Sequence, residues 1–137
     1  MAFERDENEF QTGRSREPSV TVENPPIELD IQKELEELHR SPEWQGGLVR
    51  KVLIRYPDFQ ITLRAMKANT RIPEHHNPGR ICVQTLRGHI RMHAGGRLFD
   101  LPEGKALVLD RAVTHYVEAV EESAFLLTVA LPQSPAA

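Results

Sequence analysis

The sequence predicts an all-β domain, an antiparallel sandwich or barrel of short strands with one leading helix, and two features of the chain predict it. After Gly47 the apolar residues fall into seven or eight short runs separated by glycine or proline at close spacing. Before Gly47 a single stretch carries helical periodicity. Short strands with turn chemistry between them indicate a sandwich or barrel, whereas a parallel sheet would need helices alternating with the strands. With 137 residues, 39% of them hydrophobic, the chain suffices for one domain with a real core and is too short for two.

Taken in order, residues 1–26 are polar, hold six acidic residues against three arginines, and close on Pro25-Pro26. Such a segment buries too little apolar surface to offset the entropy of ordering it, so a mobile arm is expected. Its PSVTVE stretch alternates, and the competing expectation is a short strand added to a sheet edge, a neighbouring subunit's included. The barrel domain then occupies 27–137. From Asp30, placed as an N-cap, Ile31, Leu35 and Leu38 fall at i, i+4 and i+7 and predict one amphipathic helix. It should stop near Ser41-Pro42, because a residue before proline is pushed out of the α region. Trp44, just beyond, is expected to anchor over the end of a sheet.

The strand runs follow: LVRKVLIRY up to Pro57-Asp58, FQITLRAMK, RICVQTL up to Gly88, HIRMH up to Gly95-Gly96, RLFDL, KALVLD, THYVEAV and AFLLTVAL. In FQITLRAMK, Phe59, Ile61, Leu63 and Ala65 alternate with Gln60, Thr62, Arg64 and Met66. Heptads, low-complexity tracts and tandem repeats are absent from the sequence.

Charge and cysteine content narrow the partners. The formal net charge is -3 and the sequence pI about 6.1, which leaves no basic surplus to neutralise a phosphate backbone, so nucleic acid is not expected. No apolar run approaches the length that crosses a bilayer, and no N-terminal apolar stretch preceded by positive charge suggests export. The only cysteine, Cys82, cannot form an internal disulfide. A cytoplasmic chain with a reduced thiol and no membrane partner is the expectation. Cys82 and Gln84 point away from Ile81 along their strand and are expected under a second sheet or a subunit interface.

Histidine is the most informative residue type. His39, near the end of the helix, is an ordinary surface residue there and receives no function. His89 and His93 flank Ile90 and Met92. If those two enter the core, alternation turns both histidines outward. The remaining histidines lie in RIPEHHNPGR and at the start of THYVEAV. Two strand starts that deliver His75 or His76 and His115 to one barrel mouth would place imidazoles together, and imidazole with carboxylate suits zinc, iron, manganese or nickel. Pro73 and Pro78 remove ladder donors and leave it open which of Glu74, His75 and His76 turns inward. Spacing alone favours surface histidines over ligands.

The stretch from about 69 to 131 resembles a cupin, and closely the small single-domain members of the RmlC-like cupin superfamily that carry a PGRI.VQ.L.G.I strand and end in H..EA.E.SAFLLT.A. The resemblance implies a double-stranded β-helix, or jelly-roll barrel. The first cupin motif is H-x-H, a glutamate about five residues on, and a glycine seven after that. Anchored on Gly88, it puts Glu74 and His76 at the histidine positions and Ile81, which ligates nothing, at the glutamate position. In the second motif, G-x5-P-x-G-x2-H-x2-N, the defined positions fall on Gly104, Asp110, Ala112, His115 and Glu118, of which Gly104 and His115 match. What the resemblance implies is a divalent metal held by His76 and His115 with Glu74, or with His75, and open positions left for chemistry. It implies a homodimer as well.

Arg80 is the expected holder of a substrate carboxylate, although arginine beside a turn is more often a solvated rim charge. Tyr116 is expected to pack outside. Two functions stay in view: a metal-dependent enzyme acting on a small molecule by dioxygenase-like or isomerase-like chemistry, and a non-enzymatic module that binds or senses a small ligand. One fold of this kind hosts many activities.

Overall fold

The computed structural model describes residues 25–131. The expected arm, with its PSVTVE stretch, lies outside the described residues except for Pro25 and Pro26. Helix α1 spans Ile31–Arg40, and Asp30 caps it by accepting the Lys33 N–H on Oδ1 at 3.0 Å. It ends at Ser41, whose backbone is extended ahead of Pro42, and passes into a short 3-10 turn over Pro42–Gly46.

Nine strands follow: β1 Leu48–Tyr56, β2 Phe59–Met66, β3 Arg71–His75, β4 Arg80–Arg87, β5 His89–Ala94, β6 Arg97–Pro102, β7 Ala106–Leu109, β8 His115–Ala119 and β9 Ser123–Ala130. They form two antiparallel sheets, in the orders β1-β2-β9-β4-β7 and β3-β8-β5-β6. The strand that sequence reasoning did not separate is β3, which carries Pro73, Glu74 and His75. It pairs with β8 alone, at the edge of its sheet, so the missing N–H of Pro73 removes no bond that a second neighbour would need.

Between the sheets lies the main core, built on Met66, Ile72, Ile81, Val83, Ile90, Met92, Val117, Phe125 and Val129. Each large side chain withdrawn from water there contributes roughly 1.5–3 kcal/mol. The outer face of the five-stranded sheet is covered as well. Leu35 and Leu38 of α1 pack with Val49, Leu63, Ala65 and Ala124, and Trp44 packs against them where β1 begins and β2 ends. Lys51 reaches Glu34 and Glu37 and fastens the helix to β1 through half-exposed charges of modest worth. Cys82 and Gln84 lie on this outer face of β4, but the helix reaches only part of it. Cys82 is half-buried and Gln84 exposed, so within one chain neither is covered by a second sheet. Among the described residues no helix is long and apolar enough to cross a membrane.

Candidate functional site

The pairing of β3 with β8 decides which member of the PEHH cluster faces inward. Ile72 lies opposite Val117, and both belong to the core between the sheets. The next paired residues are His75 and His115. Three steps along β3 therefore match two along β8, which is a bulge at the sheet edge. Without the bulge, counting by twos from Ile72 would bring Glu74 and His76 to the inner face. The extra residue reverses that parity and sets His75 beside His115.

The two imidazoles meet edge to face, with ring centroids 4.2 Å apart and planes at 64°. His115 is buried, at 4% exposure. Glu74, His75 and His76 are exposed. Among the described residues no group of three His, Cys, Asp or Glu side chains is placed to hold a metal ion. The triad of Glu74, His76 and His115 expected from the motif alignment is thus not assembled, because the bulge offers one residue of the cluster, His75, to His115 in place of two.

Both inner histidines use Nδ1 in the same way. His75 Nδ1 donates to the carbonyl of Pro73 at 2.7 Å, and His115 Nδ1 donates to the carbonyl of Val113 at 2.9 Å. A carbonyl can only accept, so each Nδ1 carries a proton, and in the neutral ring the lone pair sits on Nε2. Burial pushes the His115 pKa below 6.5. The bond to Val113 opposes that shift, and the charges of His75 and His76 add to it. At neutral pH His115 is therefore an uncharged ring with an accepting Nε2.

This tautomer is the one that metal-ligating histidines adopt. Two imidazoles are nevertheless two of the three protein donors of a catalytic site and half of a closed structural one. The described residues do not complete a site for iron, zinc, manganese or nickel.

Arg80 lies at the rim, where its Nε donates to Asp110 Oδ1 at 2.9 Å. Both side chains are exposed, and the Arg111 backbone N–H, followed by Arg80, holds the Asp110 carboxyl below its ordinary range. Asp110 engages one nitrogen, Nε, of the guanidinium that was expected to take a substrate carboxylate. Ile81 is 4% exposed and packs in the core, in keeping with a residue that ligates nothing. Gly104 turns the chain between β6 and β7 at φ +91°, a left-handed conformation that costs glycine nothing.

The polar half of β2 faces the interior, which its alternation alone does not reveal. Gln60, Thr62 and Arg64 pair with Val129, Leu127 and Phe125 of β9, all of which face the core between the sheets. Leu63 and Ala65 face the helix instead. The alternation in FQITLRAMK was visible, but α1 claims the apolar set and leaves the polar set to the interior of the sandwich. The signal that could have shown this was the amphipathic helix itself, which needs an apolar sheet face to cover.

Comparison with known protein families finds no match, and comparison with curated proteins finds none either. Solved structures do match. A conserved protein of unknown function from Streptococcus pyogenes superposes with a TM-score of 0.65 at 22% identity, over 88% of this chain and 100% of that one. A cupin superfamily protein from Desulfitobacterium hafniense gives a TM-score of 0.65 at 17% identity, over 82% of this chain and 100% of its own. A cupin 2 conserved barrel domain protein from Leptotrichia buccalis gives 0.62 at 26% identity, over 69% of this chain and 45% of its own.

Proposed function

We propose that this chain, which has the fold of a small cupin domain, binds a small molecule at the mouth of its barrel and reads it with His75 and His115. The observation that carries the reading is the shared tautomer. Each Nδ1 is satisfied by a backbone carbonyl two residues back, so the two Nε2 atoms remain for a ligand. A neutral Nε2 accepts a hydrogen bond from a hydroxyl, amide or ammonium donor. His115 is 4% exposed and lies opposite Ala94 of the core, a surrounding that strengthens such a bond on its side of the site. Binding or sensing needs nothing more than this, and no turnover is assigned.

A divalent metal is the second reading, and the same tautomer favours it. Its two protein ligands would be the Nε2 atoms of His75 and His115, and the ion would supply Lewis acidity for oxidative or isomerising chemistry.

A thermal-shift screen of polar small molecules tests the first reading, with elemental analysis of untagged protein run beside it. The expected outcome is a ligand whose stabilisation disappears in both His75→Ala and His115→Ala and persists in His89→Ala, together with a metal content far below stoichiometric. An equal shift in all variants would remove the histidine pair from recognition. Stoichiometric metal in the parent, lost in both inner variants, would replace the first reading with the second.

A further inference from the structure

The most unusual charge in the described chain lies on the inner face of β2. The register of β2 against β9 runs without interruption from Phe59 opposite Ala130 to Met66 opposite Ser123. Arg64 therefore shares its face with Phe125 directly opposite and with Met66 two residues on, both buried in the core between the sheets. On the neighbouring strand its cross-strand partner is Arg50. Like charges directly opposite one another in an antiparallel pair destabilise the sheet.

The surroundings sharpen the anomaly. Arg64 is half-buried, and its pKa is lowered first by that burial and next by the charge of Arg50. Several cations of the structure have acceptors, as Lys51 has Glu34 and Glu37, Arg80 has Asp110, Arg91 has Asp100, and Arg87 has Gln32, while Lys67, Arg71 and Arg97 lie over aromatic rings. Among the described residues neither Arg50 nor Arg64 has a carboxylate partner. Arg64 is the partly desolvated member of the pair and Arg50, on the edge strand β1, is exposed; a partly desolvated guanidinium without a counter-ion costs folding free energy, and a like charge facing it adds to the cost. An oxyanion bridging the two would reverse the sign of both effects, since guanidinium matches carboxylate and phosphate bidentately.

Strand direction ties this pair to the histidines. β2 leads through the turn at 67–70 into β3, and Met66 and Ile72, on either side of that turn, pack in one core cluster. Arg64 lies two residues before Met66 on β2, and His75 lies two paired positions beyond Ile72 on β3, so the arginine and the histidine sit on consecutive strands that share this core cluster. Both sit on inward faces.

We propose that Arg64 and Arg50 form an anion-binding site on the inner face of the barrel, which takes the carboxylate or phosphate group of a small organic acid or phosphate ester. The proposal rests on the reading that the barrel holds a small molecule, and it gives that molecule a charged end at the arginines and a hydrogen-bond donor at the histidines.

The test is thermal shift and calorimetry with inorganic phosphate and with malonate, each at ionic strength held constant with chloride, on the full chain. Wild type is expected to show a saturable stabilisation by at least one of the two anions, and which one distinguishes a phosphate from a carboxylate. Arg64→Gln should weaken that anion at least tenfold, and Arg64→Lys, which keeps the charge but loses the fork, should fall between. Without anion, Arg64→Gln should melt no lower than wild type, because it relieves the facing charges. Arg80→Gln should bind as wild type does. Absence of saturation by either anion in wild type, or equal affinity in wild type and Arg64→Gln, would overturn the site. The histidine variants separate the two readings. Anion binding that survives His115→Ala supports the arginine site even if no ligand for the histidines is found. Histidine-dependent binding of an uncharged ligand with no anion effect sinks the arginine site and leaves the first reading standing.

Discussion

The two faces of the sheet β3-β8-β5-β6 carry histidines that engage different ring nitrogens. On the outer face His89 Nε2 meets Asp100 Oδ1 at 2.9 Å, and His93 Nε2 meets Glu118 Oε1 at 3.1 Å. His93 also stacks on Tyr116, with centroids 4.0 Å apart and planes 9° from parallel, while the Arg71 guanidinium lies over the Tyr116 ring at 4.0 Å. On the inner face His75 and His115 commit Nδ1 to their own backbone and leave Nε2 without a carboxylate. The residue type and the sheet are the same on both sides. The difference is which nitrogen the protein has used, and it separates imidazoles tied into a surface network from imidazoles available to a ligand. Alternation along β5 sets the outer pair, and the bulge in β3 sets half of the inner one.

The largest effect expected from this contrast is on stability. Met92 and Arg91 are neighbours on β5 with opposite orientations, Met92 1% exposed between the sheets and Arg91 on the surface with Asp100. Met92→Ala should cost about 2–5 kcal/mol through lost burial and the cavity left behind. Arg91→Ala should stay within about 0.5 kcal/mol. Urea unfolding of both variants checks this, and comparable losses would mean that the outer network carries weight that its exposure does not suggest. A smaller effect is expected at His93. His93→Ala removes the stack on Tyr116 and the contact with Glu118 and should cost about 0.5–1.5 kcal/mol. It should leave unchanged any ligand shift that depends on His115. If His93→Ala abolished that shift, the two faces would be coupled and the contrast between them would fail.

Much of this fold was legible in the chain because its signals are local. Asp30 capping, the Ile31, Leu35 and Leu38 spacing and the stop at Pro42 are contained in a dozen residues, and α1 has the bounds they imply. The outward turn of His89 and His93 followed from the apolar residues Ile90 and Met92 between them, and Tyr116 lies outside as expected. The site was less legible because it depends on pairing between distant segments. His75 faces inward only because three residues of β3 oppose two of β8, and nothing within RIPEHH states the register against a strand some forty residues later. Pro73 signalled irregularity there but not its sense. Arg64 was hidden for a related reason. In an alternating strand the polar set is ordinarily the solvated one, and only the docking of α1 on the Leu63 side reverses the assignment.

The smallest effect is on the pH dependence of stability, and there the two faces should fail in different windows. Burial holds the folded pKa of His115 below 6.5, so as pH falls the unfolded chain takes up this proton first. The contribution of neutral His115 is complete above pH 6.5, declines as pH falls from 6.5 to the folded pKa, and changes no further below it. On the outer face the sign is that of an acid. His89, followed by Arg91, holds Asp100 below its ordinary 3.8, so its contribution is present above pH 3.8 and is lost only as pH falls through the folded pKa beneath that value. Melting temperature measured from pH 8 to pH 3 in wild type, His115→Gln and Asp100→Asn should resolve the two. His115→Gln should flatten the curve below pH 6.5 and leave the acid limb alone, and Asp100→Asn should do the reverse. If the wild-type curve showed no slope below pH 6.5 that His115→Gln removes, the His115 ring would accept its proton in the folded chain as readily as in the unfolded one. The availability of the inner Nε2 at neutral pH would then no longer distinguish the two faces.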